Sequence, residues 1–334
     1  MANEKLSLSI IVPMYNVRSY IGACLDSIRK MRLDRGTYEV IVIDDGSSDG
    51  GYDVVARYPE VKYVRQLNQG VSATRNRGIG MARGRYVWFV DSDDEVGPDS
   101  IKPVLNFALA HDLDVVTFGI SNSPVSETPA SSKPNAKDVR IYRDSEYLAE
   151  TDYYNNAWWY LVKRSFLGSL RFHVNRFVED GMFTMELLMR ARRVAHFPLT
   201  CYCYIQRPGS IMNDHSEAHE VKLADDYLYS YHQMQALVEQ YKNHISSAAA
   251  DRCLRRSETY LFFMLVRLMR LPHGGKHIRR MVERMKGEGI YPIPRIDPTI
   301  YKGIRYDVAT FVINHPVLTR IANRMITLRM ALSQ

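Results

Sequence analysis

Two aspartates one residue apart, Asp91 and Asp93, follow the run RYVWFV at residues 85–90. Side chains two apart on an extended chain point the same way. Such a carboxylate pair suits a hard divalent cation, which takes oxygen ligands from one or two carboxylates plus substrate phosphates. A metal held there could bridge a diphosphate and neutralise a leaving group. The plainer reading of a lone D-x-D is a solvated turn capping the next helix; a buried-strand pattern just before it favours the metal. A second acidic pair, Asp44-Asp45, ends YEVIVI and precedes Gly46-Ser47. It either hydrogen-bonds a nucleotide's base or ribose, or makes a β-turn with the glycine. A third, Glu179-Asp180, precedes an amphipathic stretch at residues 182–192. A carboxylate at a helix start feels the positive end of the helix dipole, so this pair is either a cap or an acid–base group.

Other chemistry-bearing residues are more ambiguous. Tyr153, Tyr154, Trp158, Trp159 and Tyr160 cluster; they either stack on an acceptor sugar or pack in a core. The four cysteines, Cys24, Cys201, Cys203 and Cys253, contain one C-x-C and fit neither a zinc cluster nor a disulfide framework.

The elements that must position the acids alternate. Strand patterns at residues 8–12, 38–43, 61–64, 85–90 and 114–120 are interleaved with helical patterns at 19–31, 71–82 and 100–110. That alternation marks an α/β parallel sheet, in which ligands bind beyond the carboxyl ends of the strands. Pro13–Asn16, Asp44–Ser47 and Asp91–Asp93 all sit at such ends. Residues 121–138 are rich in Ser, Pro and Ala and predict a flexible loop. Residues 139–215 are less regular. From residue 216 the pattern turns helical, with Leu223, Tyr227, Tyr231, Met234, Val238 and Tyr241 on one face.

Composition bounds the function. With 334 residues, 46% hydrophobic and 24% charged, the chain can bury a real core. Its formal charge is +7. Residues 252–334 hold 16 Lys/Arg against 5 Asp/Glu, net +11, which leaves −4 for the rest. A basic C-terminal third implies an anionic partner, whether membrane surface, nucleic acid or acceptor; no nucleic-acid motif accompanies it. Residues 261–269, 277–286 and 319–330 mix apolar and basic residues. They predict an amphipathic membrane surface, ordinary helix packing or a homodimer interface. No signal peptide or membrane-length apolar run is seen, so the expectation is a cytoplasmic protein, with peripheral attachment at the inner face of the membrane as the alternative.

Four segments carry a resemblance: SIIVPMYN, VIVIDDGSSDG, NQGVSATRNRGI and YVWFVDSDD, in that order over the first 120 residues. Together they resemble the N-terminal half of family 2 glycosyltransferases of GT-A fold, of the bacterial surface-polysaccharide type. The resemblance implies a Rossmann-like mixed, mainly parallel sheet with flanking helices and a helical C-terminal region. It implies a catalytic domain over residues 1–215, with a nucleotide-sugar half at 1–120 and an acceptor and base half at 139–215, then a basic helical region at 216–334.

Residue by residue, it implies that Pro13, Tyr15 and Asn16 border the nucleobase. Asp45, with Asp44, would bind a uridine-like nucleoside. Arg75 would sit by the nucleotide and the D-x-D acids, where it could equally be a structural ion pair. Asp91 and Ser92 would contact the donor, and Asp93, with Asp91 as the further candidate, would ligate Mn²⁺ or Mg²⁺. Glu179-Asp180 is similar to the family's E-D motif, with Asp180 as base and Glu179 orienting the acceptor. YIQRPGSIMN resembles the R-x-G-S segment, in which Arg207 clamps the diphosphate and Ser210 adds a hydrogen bond. His215 or His219 are candidates for a third metal ligand, although a lone histidine is more simply structural.

The expected reaction is inverting transfer from a nucleoside diphosphate sugar, UDP-linked by the family's commonest case, to a glycan or polyprenyl-linked hydroxyl. The rivals are a nucleotidyltransferase, which should carry a Gly-rich phosphate loop where PMYNV stands, and an inactive sugar-binding scaffold.

Overall fold

The structure is a computed structural model that describes residues 6–127, 134–207, 215–272, 274–294, 296, 301 and 303–332. In chain order its regular elements begin β1 (Leu8–Met14), α1 (Arg18–Arg29), β2 (Tyr38–Asp44), α2 (Gly51–Val55), β3 (Val61–Arg65), α3 (Val71–Met81), β4 (Tyr86–Phe89), β5 (Glu95–Val96), α4 (Ile101–His111) and β6 (Val115–Ser121). There follow β7 (Ile141–Arg143), α5 (Glu146–Glu150), β8 (Tyr160–Lys163), α6 (Arg164–Leu167), α7 (Glu179–Arg190) and β9 (Arg193–Cys203). Five helices come last: α8 (Glu217–Tyr241), α9 (Ser247–Arg270), α10 (Gly275–Gly287), α11 (Ile304–Ile313) and α12 (Pro316–Leu332). The chain divides into two compact units, residues 1–147 with 153–207, and residues 148–152 with 208–334.

The first unit is built on one mixed sheet of order β3-β2-β1-β4-β8-β6-β9-β5, with β7 paired to β9. β1 is parallel to both β2 and β4, with Ile11 level with Ile41 on one side and Phe89 on the other. Strands covered on both faces must be apolar throughout, and all seven residues of β1 are buried. The long pairings, β1 with β2 and β6 with β9, are parallel.

The structure departs from the pattern-based reading after β4. β6 does not lie next to β4: the antiparallel strand β8 is inserted between them. That strand comes from the stretch read as irregular, where its four residues are too few to show a period. β9 is longer, but its register against β6 shifts on both sides of Gly119, and this breaks the alternation that would have marked it.

Packing brings α3 close against the sheet. A Cβ placed on Gly78 would come 2.4 Å from Ile11 Cγ2, so glycine there lets the helix that carries Arg75 seat directly on β1. In the second unit, α8 buries Leu223, Tyr227, Met234 and Val238, four of the six positions on the expected face. α9 starts at Ser247, where Ser246 caps it by accepting from the Ala249 N–H at 3.2 Å. Leu261, Phe262, Met264 and Leu265 are fully buried in that unit.

Candidate active site

Strands β2 and β3 lie on one side of β1 and β4 on the other. The sheet order therefore reverses between β1 and β4, and ligands bind at such a switch point beyond the carboxyl ends. Tyr15 and Asn16 leave β1 there, and the D-S-D-D run leaves β4. Tyr15 is half exposed and Pro13 is buried. Asn16 adopts a left-handed φ of 49°, a conformation asparagine tolerates better than most residues. Its N–H donates to Ser47 Oγ at 3.0 Å and its Oδ1 accepts from the Ser48 N–H at 2.9 Å. The loops after β1 and β2 are thus locked together.

The two acids at the end of β2 are both buried and have different partners. Asp44 accepts from the Ser47 N–H at 2.8 Å and from the Tyr63 hydroxyl at 2.6 Å. Despite burial, these bonds and nearby Arg65 hold its carboxyl below the usual range. Asp44 thereby holds the turn closed and ties it to Tyr63 of β3. Asp45 accepts at Oδ1 from Gln66 Nε2 (2.8 Å) and the Gln69 N–H (2.9 Å), and at Oδ2 from the Gly70 N–H (2.8 Å). It ties the turn to the loop that opens α3.

Arg75, on α3, is the centre of the acidic cluster. Its Nη2 donates to Asp91 at 2.8 Å, while Nη1 donates to Glu179 at 3.0 Å and to Asp180 at 2.6 Å. The guanidinium is buried, and its Nε has no partner. Burial alone would lower its pKa, but the carboxylates of Asp180, Asp91 and Glu179 outweigh that and hold it charged. Three carboxylates around one cation leave an excess of negative charge in a dry place, which the acids relieve by binding protons. Burial and then Asp180 push the Glu179 carboxyl well above its ordinary value. Asp180 is also raised by burial, with Arg75 opposing, and its side chain keeps 19% of its surface exposed. Both acids sit in the first turn of α7.

In the D-S-D-D run, Asp93 is paired with Arg207, whose guanidinium also lies 5.2 Å from the Tyr20 ring centre. Ser92 is buried. Asp94 accepts from the Tyr202 hydroxyl at 2.5 Å and from the Ile205 N–H at 2.7 Å. The Tyr202 oxygen in turn accepts from the Asp91 N–H at 3.1 Å. Burial, with Asp91 close by, pushes the Asp94 carboxyl up to about 8. This chain of bonds fixes the run against residues 202–205, which lead straight to Arg207.

The sequence matches the model of glycosyl transferase family 2 over residues 9–184, more than half of the chain. The chain belongs to that family. It is similar to the uncharacterized glycosyltransferase EpsJ of Bacillus subtilis, 28% identical over 83% of each chain. In three dimensions this glycosyltransferase resembles residues 1–349 of Staphylococcus aureus TarS, solved with UDP-GlcNAc. The TM-score is 0.60 at 19% identity, covering 98% of this chain and 93% of that one. It also resembles the mannosyltransferase PcManGT from Pyrobaculum calidifontis, solved with GDP-Man and Mn²⁺, at a TM-score of 0.52 and 16% identity over 96% and 88%. The fold is therefore GT-A.

Other expected residues of this glycosyltransferase fall differently. Trp158 stacks on Tyr202 with ring centres 4.4 Å apart, and Trp158, Trp159 and Tyr153 are buried. The aromatic cluster is core; only Tyr154 of it is exposed. His215 bonds Glu220 at 3.0 Å. Among the described residues no three His, Cys, Asp or Glu side chains gather as a metal cage. Ser210 lies outside the described residues. The four cysteines are buried and none is joined in a disulfide.

Sequence reading missed Asp94, Tyr202 and Asn76. Asn76 grips the backbone of Phe172 both ways, at 2.9 and 2.8 Å, and Phe172 stacks on Phe183 of α7 at 3.8 Å. The only signal for Asn76 was its place beside Arg75 in A-T-R-N.

Proposed function

We propose that this family 2 glycosyltransferase moves a sugar from a nucleoside diphosphate donor, UDP-linked, to a hydroxyl of a glycan or polyprenyl-linked glycan by one inverting displacement. The observation that supports it most is the sharing of Arg75 by Asp91, at the end of β4, and Asp180, at the start of α7. One guanidinium thereby joins the donor-side loop to the candidate base.

In this reading Tyr15 and Asn16 border the nucleobase. Asp45 accepts from the nucleoside with the spare lone pairs of Oδ2, which takes a single N–H in the protein. Asp91 and Ser92 face the donor. Asp180 removes the acceptor's proton as its oxygen attacks the anomeric carbon, through an oxocarbenium-like state. Its raised pKa makes it a stronger base than an ordinary aspartate. Glu179 orients the acceptor beside it. Arg207 turns to the diphosphate as charge grows there. Because the nucleophile and leaving group occupy opposite faces, one displacement converts an α-linked donor into a β-linked product.

The donor set at Asp93 and Asp91 fits Mn²⁺ or Mg²⁺. Both are hard carboxylates with part of their surface open, and such ions complete their shell with phosphate oxygens and water. When bound, the ion supplies charge neutralisation at the leaving diphosphate. That TarS and PcManGT were solved with UDP-GlcNAc and GDP-Man supports the nucleoside diphosphate sugar class.

A thermal-shift screen of UDP- and GDP-sugars with and without Mn²⁺ tests donor and metal together. A rise in melting temperature with a UDP-sugar that needs Mn²⁺ is the expected result; no response to any nucleotide sugar removes the proposal.

A further inference from the structure

Of the three C-terminal segments in which apolar and basic residues mix, two bury their apolar side. Residues 261–269 are core of α9, and α10 turns Ile278, Met281, Val282 and Met285 inward. The last two helices do the opposite. α11 exposes Ile304, Val308 and Phe311, and α12 exposes Val317, Ile321, Met325 and Leu328, each with half or more of its surface in solvent. Steps of three and four residues put each set in one stripe along its helix. Elsewhere among the described residues, large apolar side chains this exposed are scattered singly, as at Tyr52, Leu67 and Val174.

These stripes are outward faces, not loosely packed ones. α11 buries Thr310 and Ile313, and α12 buries Thr319 and Asn323. Asn323 Nδ2 donates to the Met269 carbonyl at 2.8 Å, and Thr319 Oγ1 to the Val312 carbonyl at 2.8 Å. α12 is thereby fastened to the end of α9 and to α11, which fixes the direction its other side faces. Cations flank the stripes. Arg320 and Arg324 are exposed one position before Ile321 and Met325, and Arg305 is exposed beside Ile304. Arg320 donates to the Pro316 carbonyl and Arg305 to the Tyr306 hydroxyl, and none of the three has a carboxylate partner among the described residues. Residues 301–334 carry five Lys/Arg and one acid, Asp307.

We propose that the outer faces of α11 and α12 form an in-plane docking surface for an anionic lipid bilayer. A contiguous exposed apolar surface marks an interaction site. Unpaired arginines along its edge match negatively charged headgroups, because apolar side chains can enter the acyl boundary while guanidinium groups stay at headgroup level. An apolar face awaiting a second copy of itself would bring these arginines together and repel. No described helix is long and apolar enough to cross the membrane, so the attachment is peripheral. The inference is independent of the transfer chemistry proposed above.

Co-sedimentation of the full chain with vesicles tests it, using phosphatidylcholine alone and phosphatidylcholine mixed with phosphatidylglycerol. Binding is expected on the mixed vesicles only, weakening as salt rises. Arg320→Glu/Arg324→Glu should weaken it about thirtyfold or more, from roughly a fivefold loss per arginine. Ile321→Ser/Met325→Ser should abolish it with an unchanged melting curve, since both side chains are already in solvent. Equal binding to neutral vesicles, binding unaffected by either double variant, or no binding would each overturn the proposal. So would a concentration-dependent oligomer that Ile321→Ser/Met325→Ser dissolves, which would assign the face to a second copy. Asp180→Asn should bind vesicles as the parent does, so that failure of the catalytic reading is seen separately.

Discussion

Arg75 donates to Asp180 across 2.6 Å through the same Nη1 that serves Glu179, while its Nη2 holds Asp91. A planar guanidinium reaches acids on two sides with two separate nitrogens in a fixed fork; a lysine presents a single nitrogen and loses that fork. Arg75→Lys should therefore leave one side of the cluster unpaired in a buried site, at a cost of about 3–5 kcal/mol, and abolish transfer. Denaturant unfolding and a transfer assay check both halves. A lysine variant with parental stability and rate would show that the bridge is dispensable.

The two acids of α7 should respond in opposite ways to amide substitution. Asp180→Asn removes a base and should lower kcat by about 10²–10⁴, with donor affinity nearly unchanged. Burial, and then Asp180, push the Glu179 carboxyl well above its ordinary value, and glutamine resembles a protonated glutamate in shape and acceptor. Glu179→Gln should stay within about tenfold of the parent rate, well short of a general-base loss. Reversed effects would exchange the two roles.

As the proposed base, Asp180 should set the acid limb of the pH profile. A base works only when ionised, so the rate must fall as pH drops through its pKa. Burial raises that pKa, which places the fall above the roughly 3.9 of a free aspartate. A kcat/KM profile that stays flat down to the ordinary carboxylate range would rule out this carboxyl as the base.

Tyr202→Phe should loosen the D-S-D-D run without touching its acids. The change leaves the Asp91 N–H and one Asp94 oxygen without the hydroxyl they share. A buried group left unpaired costs about 1–3 kcal/mol, measurable by denaturant unfolding. In the proposed mechanism Asp91 and Asp93 face the donor from this run, so the donor's KM should rise more than kcat falls.

Chelation tests the cation. Transfer should fall to background in EDTA and return with Mn²⁺, and Asp93→Asn should raise the Mn²⁺ concentration required. Full activity in EDTA would leave Asp93 as no more than the partner of Arg207.

Much of the N-terminal part of the sheet was legible in the chain. Apolar β-branched runs that end in acids announce buried strands and what their ends present, because both signals are local. Thus β1, β2, β3, β4 and β6 lie within a residue or two of the expected spans. The strand β8, four residues long, carries no period to read, and its antiparallel insertion depends on which edges are left to pair.

By itself, then, the sequence determined the sheet's parallel block, the acids at its ends and the basic C-terminal third. Only the tertiary structure decided what those groups touch. Arg75 meets acids 104 and 105 residues away, and Asp94 meets Tyr202 108 residues away. No local spacing encodes such contacts, because they arise where separate elements converge. The same holds for the last two helices. Their apolar residues look in sequence like those of α9, and only packing settled that α9's are covered while those of α11 and α12 face out.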